Sequence, residues 1–310
     1  MAGVSAIVVS HNSRPHLRRC LDSLATQVAE TIVVDAASTD GSVDELGADG
    51  VVRLDVNRGY GAALNAGAAR ASGDLLLLLN ADTWALPGAV DELARALAET
   101  PTAGVAGPKL VNEDGSTQQS VRGFPTPWRL ATEYFFLRWF APRSRAVNAF
   151  YAAGFDHATP RTVEWLVGAA LLVRRDAFES VAGFDESFFM YDEEVDFCYR
   201  LAKAGWSTIF VPSAQIGHVG GASTRALPEA MYLEQLRSHL RFVDKHRGAR
   251  SAERTRRMLV WAMRLRSIVF RGPRSAISRA AARWAASATA TELIRAPMED
   301  PKLFPRRSGA

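Results

Sequence analysis

The sequence predicts an α/β protein built on a mostly parallel central sheet flanked by helices, with a helical appendage at its C-terminal end. Three observations predict it. Short apolar segments alternate with helix-periodic ones through about residue 112, as expected of a right-handed, mainly parallel sheet covered by helices. The stretch Asp74-Leu75-Leu76-Leu77-Leu78-Leu79-Asn80-Ala81-Asp82-Thr83 holds five consecutive leucines. That is too short for a membrane span and suits a strand buried on both faces. From residue 229 to 285 the chain reads as helices punctuated by Gly248 and Gly272-Pro273.

In chain order, Ser5 to Ser10 is a first strand ending in the polar turn His11-Asn12-Ser13, and Pro15 opens a helix with Leu17, Cys20, Leu21 and Leu24 at helical spacing. Thr31 to Asp35 is a second strand, followed by the turn-forming cluster Ser38-Thr39-Asp40-Gly41-Ser42. Val51 to Val56 is a third, and Asn57-Arg58-Gly59-Tyr60-Gly61 leads into a small-residue helix through Ala71. The leucine strand is the fourth, and an amphipathic helix follows from Pro87 to Glu99. Val105 to Val111 is a fifth strand, closed by a hairpin turn at Asn112-Glu113-Asp114-Gly115. The periodicity fails from Phe124 to Arg161, where aromatics alternate with arginines, a composition that fits a buried helix, a nucleic-acid surface or a lipid interface, of which a lipid interface or a lid over an acceptor is preferred. Glu164 to Val173 reads as one strand, and Arg174-Arg175-Asp176 starts a short helix closed by Gly183. Val195, Cys198, Tyr199 and Ala202 share a face of a helix from Glu193 to Ala204, stopped by Gly205. Thr208 to Pro212 is a last strand before Ile216 to Ser223.

The chain has 310 residues, 48% of them apolar, enough for a sizeable core. Cys20 and Cys198 lack metal-ligand spacing and form no disulfide framework, as in a reducing compartment. With no signal-like N-terminus and no apolar run of about 18 residues, a location in the cytoplasm, peripheral to the inner face of the cell membrane, is expected. Charge is uneven. Residues 227–310 carry 18 basic against 7 acidic side chains, and the first 226 carry 19 against 26. A basic appendage on an acidic body makes anionic lipid or nucleic acid a candidate partner.

No Gly-x-Gly-x-x-Gly follows the first strand, and neither a Walker A sequence nor a Gly-x-Ser-x-Gly elbow is present, which disfavours dehydrogenases, P-loop enzymes and α/β-hydrolases. Instead the first, second and fourth strands end in Ser, Asp or Asn at the edge where open α/β sheets bind ligands. Asn80 and Asp82 there suit a hard divalent cation that shares its shell with substrate phosphates. Asp82 as the N-cap of the helix near Pro87 is the alternative. Asp192-Glu193-Glu194-Val195-Asp196 offers a general base whose pKa is raised by burial and crowding, or else an N-cap, Asp192, with acidic first-turn residues. His218, before Gly220-Gly221, is a third metal ligand or a loop residue.

Together these pieces resemble the family 2 inverting glycosyltransferases, which have the GT-A fold. The resemblance covers roughly residues 4 to 225 and rests on Val8-Val9-Ser10-His11-Asn12, Val33-Val34-Asp35, Asn57-Arg58-Gly59-Tyr60-Gly61, Leu79-Asn80-Ala81-Asp82, Gly183-Phe184-Asp185-Glu186, Tyr191-Asp192-Glu193-Glu194 and His218-Val219-Gly220-Gly221 in the family's order. It is strongest to the rhamnosyltransferase-like branch acting on polyprenyl-linked cell-wall sugars. It implies that Asp35, with Ser10, Asn12 and Arg58, binds a dTDP- or UDP-sugar. Asn80-Ala81-Asp82 stands at the metal motif, with Asn80 replacing the usual carboxylate. Asp82, with His218, would hold Mg²⁺ or Mn²⁺, and Glu194, with Glu193 second, is the base. The expected acceptor is lipid-linked or a glycan; a catalytically inactive scaffold is the alternative function.

The resulting division is a catalytic domain over 1–226 (nucleotide-binding half 1–112, acceptor half 113–226), a basic helical region over 227–296 and a disordered tail over 297–310. Leu259 to Phe270, with Trp261, and Trp284 further on mix bulky apolar residues with arginine. Such helices lie in the headgroup layer of an anionic membrane; a solvated helical subdomain or a homodimer interface is the alternative. No nucleic-acid-binding motif is present, so nucleic acid is not expected as a partner.

Overall fold

The five leucines form β4 (Leu75–Asn80), whose Leu76, Leu77 and Leu78 are completely buried. This computed structural model describes residues 3–44, 46, 50–150, 152, 155–220 and 228–296. The chain divides into two units, one of Met1–Gly123, Gly154–Phe189 and Glu193–Ser223, the other of Phe124–Ala153, Met190–Asp192 and Thr224–Ala310.

In the first unit β1 (Val4–Ser10), β2 (Glu30–Ala36), β3 (Val51–Leu54), β5 (Thr83–Ala85), β6 (Ala103–Val111), β8 (Arg161–Val163), β10 (Ala170–Arg174) and β11 (Ser207–His218) join β4 in one sheet. Its order is β3-β2-β1-β4-β10-β6-β11-β5, with β8 on β11. The β3–β2–β1–β4 half is parallel, as is β6–β11, while β10 runs antiparallel to both its neighbours. The parallel half places strand ends side by side: Ser10 pairs with Asp35, and Val9 with Asn80. Helices α1 (Arg14–Leu24), α2 (Tyr60–Ala68), α3 (Ala89–Glu99), α7 (Arg175–Ser180) and α8 (Glu193–Lys203) cover it. Leu77, Leu79, Val8, Leu93 and Ile216 share one apolar cluster, the contact that holds the amphipathic α3 on the sheet.

Several elements differ from expectation. The run from Glu164 to Val173 is not one strand: β9 (Trp165–Leu166) pairs with β7 (Val121–Arg122) in a separate ribbon, and a turn precedes β10. The apolar residues on either side carry no period, and Gly168 is the one local mark of that break. Asp82 does not cap the next helix, which begins at Ala89 behind Gly88. Ala202 is exposed, and Phe197 and Leu201 join Val195 and Cys198 on the buried side of α8. Gly205, with φ +93°, closes α8, its N–H donating to Ala202 and that of Trp206 to Leu201.

The second unit is helical: α4 (Pro127–Tyr134), α5 (Leu137–Phe140), α6 (Arg145–Asn148), α9 (Pro228–Arg247), α10 (Ala249–Val269), α11 (Pro273–Ser287) and α12 (Ala290–Arg295). Leu130, Tyr134, Leu236, Leu240, Leu259, Met263 and Leu293 form its core. Trp284 belongs to that core at 4% exposure and so is not a surface anchor. The aromatic segment after Phe124 thus supplies short helices to this unit, although its sequence position lies within residues 113–226. No helix among the described residues is long and apolar enough to cross a membrane. Gly221 to Ser223 and the tail from 297 lie outside the described residues.

Candidate active site

The antiparallel pairing of β5 with β11 sets His218 opposite Thr83, one residue beyond Asp82. The His218 Nε2 consequently lies 3.5 Å from the Asp82 Oδ1, and the Val219 N–H donates to the Asp82 carbonyl at 3.1 Å. Gln118 orients the imidazole. Its Nε2 donates to the His218 carbonyl and to Asn112 Oδ1, both at 2.7 Å, which turns its Oε1 towards the ring Nδ1 at 2.9 Å. Because that oxygen only accepts, Nδ1 carries the hydrogen, and in the neutral ring Nε2 presents its lone pair to the Asp82 carboxylate. Two acceptors facing each other require a cation or a proton between them. Burial pushes the Asp82 carboxyl up, but with a proton between the two atoms the hydrogen bond and charge of the His218 imidazolium, with His16 beyond, outweigh it and hold it below the usual range. Among the described residues no cluster of three or more His, Cys, Asp or Glu side chains could hold a metal. A cation here would take its remaining ligands from substrate phosphate and water, which is how small hard cations are commonly held.

Glu193 and Glu194 open α8. Glu193 is buried, its Cβ packed near Gly61, while Glu194 is half-buried and lies against Gly168. A Cβ on Gly168 would stand 3.2 Å from the Glu194 Cβ, so the turn before β10 is shaped to admit this side chain. Asp192 sits in the left-handed region with φ +62°, and its carboxylate accepts from His239 Nδ1 at 2.6 Å within the second unit.

Tyr60 is the residue that sequence reasoning passed over. Its hydroxyl donates to the Gly168 carbonyl at 2.9 Å. Burial, then the charges of Glu193, Glu194 and Asp82, raise its pKa well above the ordinary phenol value. One neutral phenol therefore stands in the field of all three predicted acidic groups. The only advance signal was its place between Gly59 and Gly61. Cys20 lies beneath the same strand end, 3.9 Å from the Asn80 carbonyl; burial pushes its thiol up to about 12, too high for a nucleophile.

The nucleotide-side residues lie at the neighbouring strand ends. Asp35 is buried, accepting from the Ser38 N–H at 3.2 Å, with Arg53 3.9 Å from its other oxygen. Asn12, at φ +51°, accepts from the Thr39 N–H at 2.8 Å through its side-chain oxygen and donates its own N–H to Ser38 Oγ, clasping the loops after β1 and β2. Ser10 is completely buried and Ala81 nearly so, whereas Asn80 is half-buried. Arg58 is largely exposed and meets Glu186 at 3.4 Å.

A family model described as glycosyl transferase family 2 matches residues 5–181. The N-acetylglucosaminyl-diphospho-decaprenol L-rhamnosyltransferase of Mycobacterium tuberculosis is 34% identical over 261 residues, 78% of this chain and 84% of that protein. Among solved structures, GalNAc-T7 with UDP, GalNAc and Mn²⁺ superposes with a TM-score of 0.57 at 16% identity, over 98% of this chain and 58% of that one. S. aureus TarS 1-349 gives 0.52 at 14% identity, over 94% and 81%. At such identities these structures speak to the fold alone.

Proposed function

The chain belongs to glycosyl transferase family 2 and has a GT-A-like fold, and from this we propose that it transfers L-rhamnose from dTDP-rhamnose to a hydroxyl of a polyprenyl-diphosphate-linked sugar, inverting the anomeric centre. The sugar and the acceptor class rest on the activity of the mycobacterial relative. The observation that carries the chemistry is that Asp82 faces His218 at 3.5 Å while Glu194 lies against Gly168, whose carbonyl Tyr60 holds, and Glu193 packs near Gly61.

Asp82 and His218 are the residues that would hold a divalent cation, Mg²⁺ or Mn²⁺, and their facing acceptor atoms fit one. When bound, it supplies Lewis-acid neutralisation of the charge that develops on a departing nucleoside diphosphate. Neutral Asn80 in place of a carboxylate leaves that duty mainly to Asp82. Asp35 accepts a hydrogen bond from the base, and Arg58 swings from Glu186 to the diphosphate. Glu194 removes the proton of the acceptor hydroxyl as it attacks, because it is the half-exposed member of the pair and Glu193 is buried. Tyr60, neutral throughout, holds the Gly168 turn against Glu194. The acceptor's lipid chain places the enzyme on the inner face of the cell membrane.

The test is thermal stabilisation by dTDP, UDP and their sugars with and without Mn²⁺, since a ligand that binds only the native state raises the midpoint by mass action. Metal-dependent stabilisation by dTDP species, lost in Asp82→Ala, is expected. No shift with any nucleotide overturns the reading.

A further inference from the structure

The second unit carries most of the large apolar side chains that are exposed among the described residues. Phe140 is 84% exposed, Ile268 81%, Trp139 69% and Trp261 63%, with Leu265 and Val269 also open. Trp261, Leu265 and Ile268 follow one another at helical spacing on α10, on the side opposite the buried Leu259, Ala262 and Met263. Elsewhere on this unit, Phe136 lies tilted against Trp139 at 4.8 Å and meets Phe270, at the end of α10, edge-on at 5.3 Å, with Arg266 over both Phe136 and Phe270.

The charge around this patch has one sign. Residues 254–291 contain nine arginines and no Asp or Glu. Arg264, Arg279 and Arg283, with Ser267, line a depression of about 270 Å³ between α10 and α11, next to Trp261, over which Arg264 stacks at 5.1 Å. None of these three guanidinium groups has an ion-pair partner among the described residues.

We propose that this surface docks on an anionic phospholipid bilayer: Trp261, Leu265 and Ile268 enter the headgroup–acyl boundary, and the Arg264–Arg279–Arg283 depression takes a lipid phosphate. The complementary charge identifies the occupant. A second copy using the same patch would set these arginines against their own equivalents, because an isologous interface pairs a surface with itself. A bilayer supplies both the apolar layer for Trp261, Leu265 and Ile268 and the counter-charge, at roughly 1 kcal/mol per basic residue near the surface. The inference deepens the reading of a lipid-linked acceptor, but its evidence is independent of that reading.

Flotation of the full chain with phosphatidylcholine vesicles, with and without phosphatidylglycerol, tests it. Binding should require the anionic lipid and weaken with salt. Arg264→Gln/Arg279→Gln/Arg283→Gln should weaken partitioning on the order of a hundredfold, the product of about fivefold for each arginine. Trp261→Ser/Leu265→Ser/Ile268→Ser should abolish it while circular dichroism stays unchanged. Glycosyl transfer to a water-soluble acceptor analogue should survive both triple variants, so failure of docking is separable from failure of the proposed reaction. No partitioning, partitioning unaffected by either triple variant, or a dimer in solution that the apolar triple variant dissociates would overturn the proposal. So would duplex DNA binding in place of vesicle binding.

Discussion

Glu194 and Glu193 are adjacent in the chain but differently placed, and burial separates their roles. Glu194→Gln keeps the shape of the side chain and loses the base, so transfer should fall on the order of 10²- to 10⁴-fold with little change in donor affinity. Glu193→Gln should cost mainly stability, and steady-state kinetics beside thermal melts separate the two. A larger effect at Glu193 would reverse the assignment. Gln118 touches no expected substrate atom, yet three hydrogen bonds make it the support that aims the His218 ring at Asp82. Gln118→Leu should weaken Mn²⁺ binding about 10- to 100-fold, as loss of such a support typically does, without unfolding the chain. Titration followed by the electron spin resonance of free Mn²⁺ reads this directly.

At the scale of elements, the site depends on backbones that approach too closely for side chains. Gly59 begins α2 at φ +103°, and a Cβ there would collide with the Phe189 carbonyl, to which the Tyr60 N–H donates at 3.1 Å. Gly59→Ala adds left-handed strain to that clash and should cost on the order of 3 kcal/mol in chemical denaturation, while displacing Tyr60. β4 makes the opposite demand. Leu77→Ala leaves a cavity where no neighbour can collapse and should cost about 2–5 kcal/mol. Asn65 on α2 holds the Gly183 loop with a pair of hydrogen bonds at 2.9 Å to the Phe184 N–H and carbonyl, which keeps that loop against α2.

For the molecule as a whole, two carboxylates set the acid limit. Hydrogen bonds from Ser5 and Ser72 hold Glu30 down from 4.5 to about 2. Glu253 is held near the same value, first by Arg256 and then by the Ala290 N–H at the start of α12. A carboxylate whose pKa is lower folded than unfolded stabilises at pH above its unfolded value, and that share is lost as the pH falls through the folded one. Stability should therefore decline from about pH 4.5 towards pH 2, and Glu30→Gln/Glu253→Gln should flatten that part of the denaturation profile. A variant with the parent's slope would show that other groups govern acid unfolding.

The alternation of apolar segments, the leucine strand and the punctuating glycines were sufficient to reveal the α/β class and the helical end, because period and chain-breaking residues act locally. Asp82, Glu193, Glu194 and His218 stood out in the sequence by type and by position at element ends. Other features were settled only by tertiary structure. An apolar run carries no mark of direction, so the antiparallel insertion of β10 and the break before it depend on pairing with β4 and β6. Gln118 and Tyr60 are unremarkable in sequence and acquire their positions from contacts 100 and 108 residues away. Trp284 sits among alanines and an arginine and Trp261 among bulky apolar residues, yet packing makes the first core and the second surface. Local chemistry chose which groups could act; long-range strand pairing and helix packing chose which of them meet.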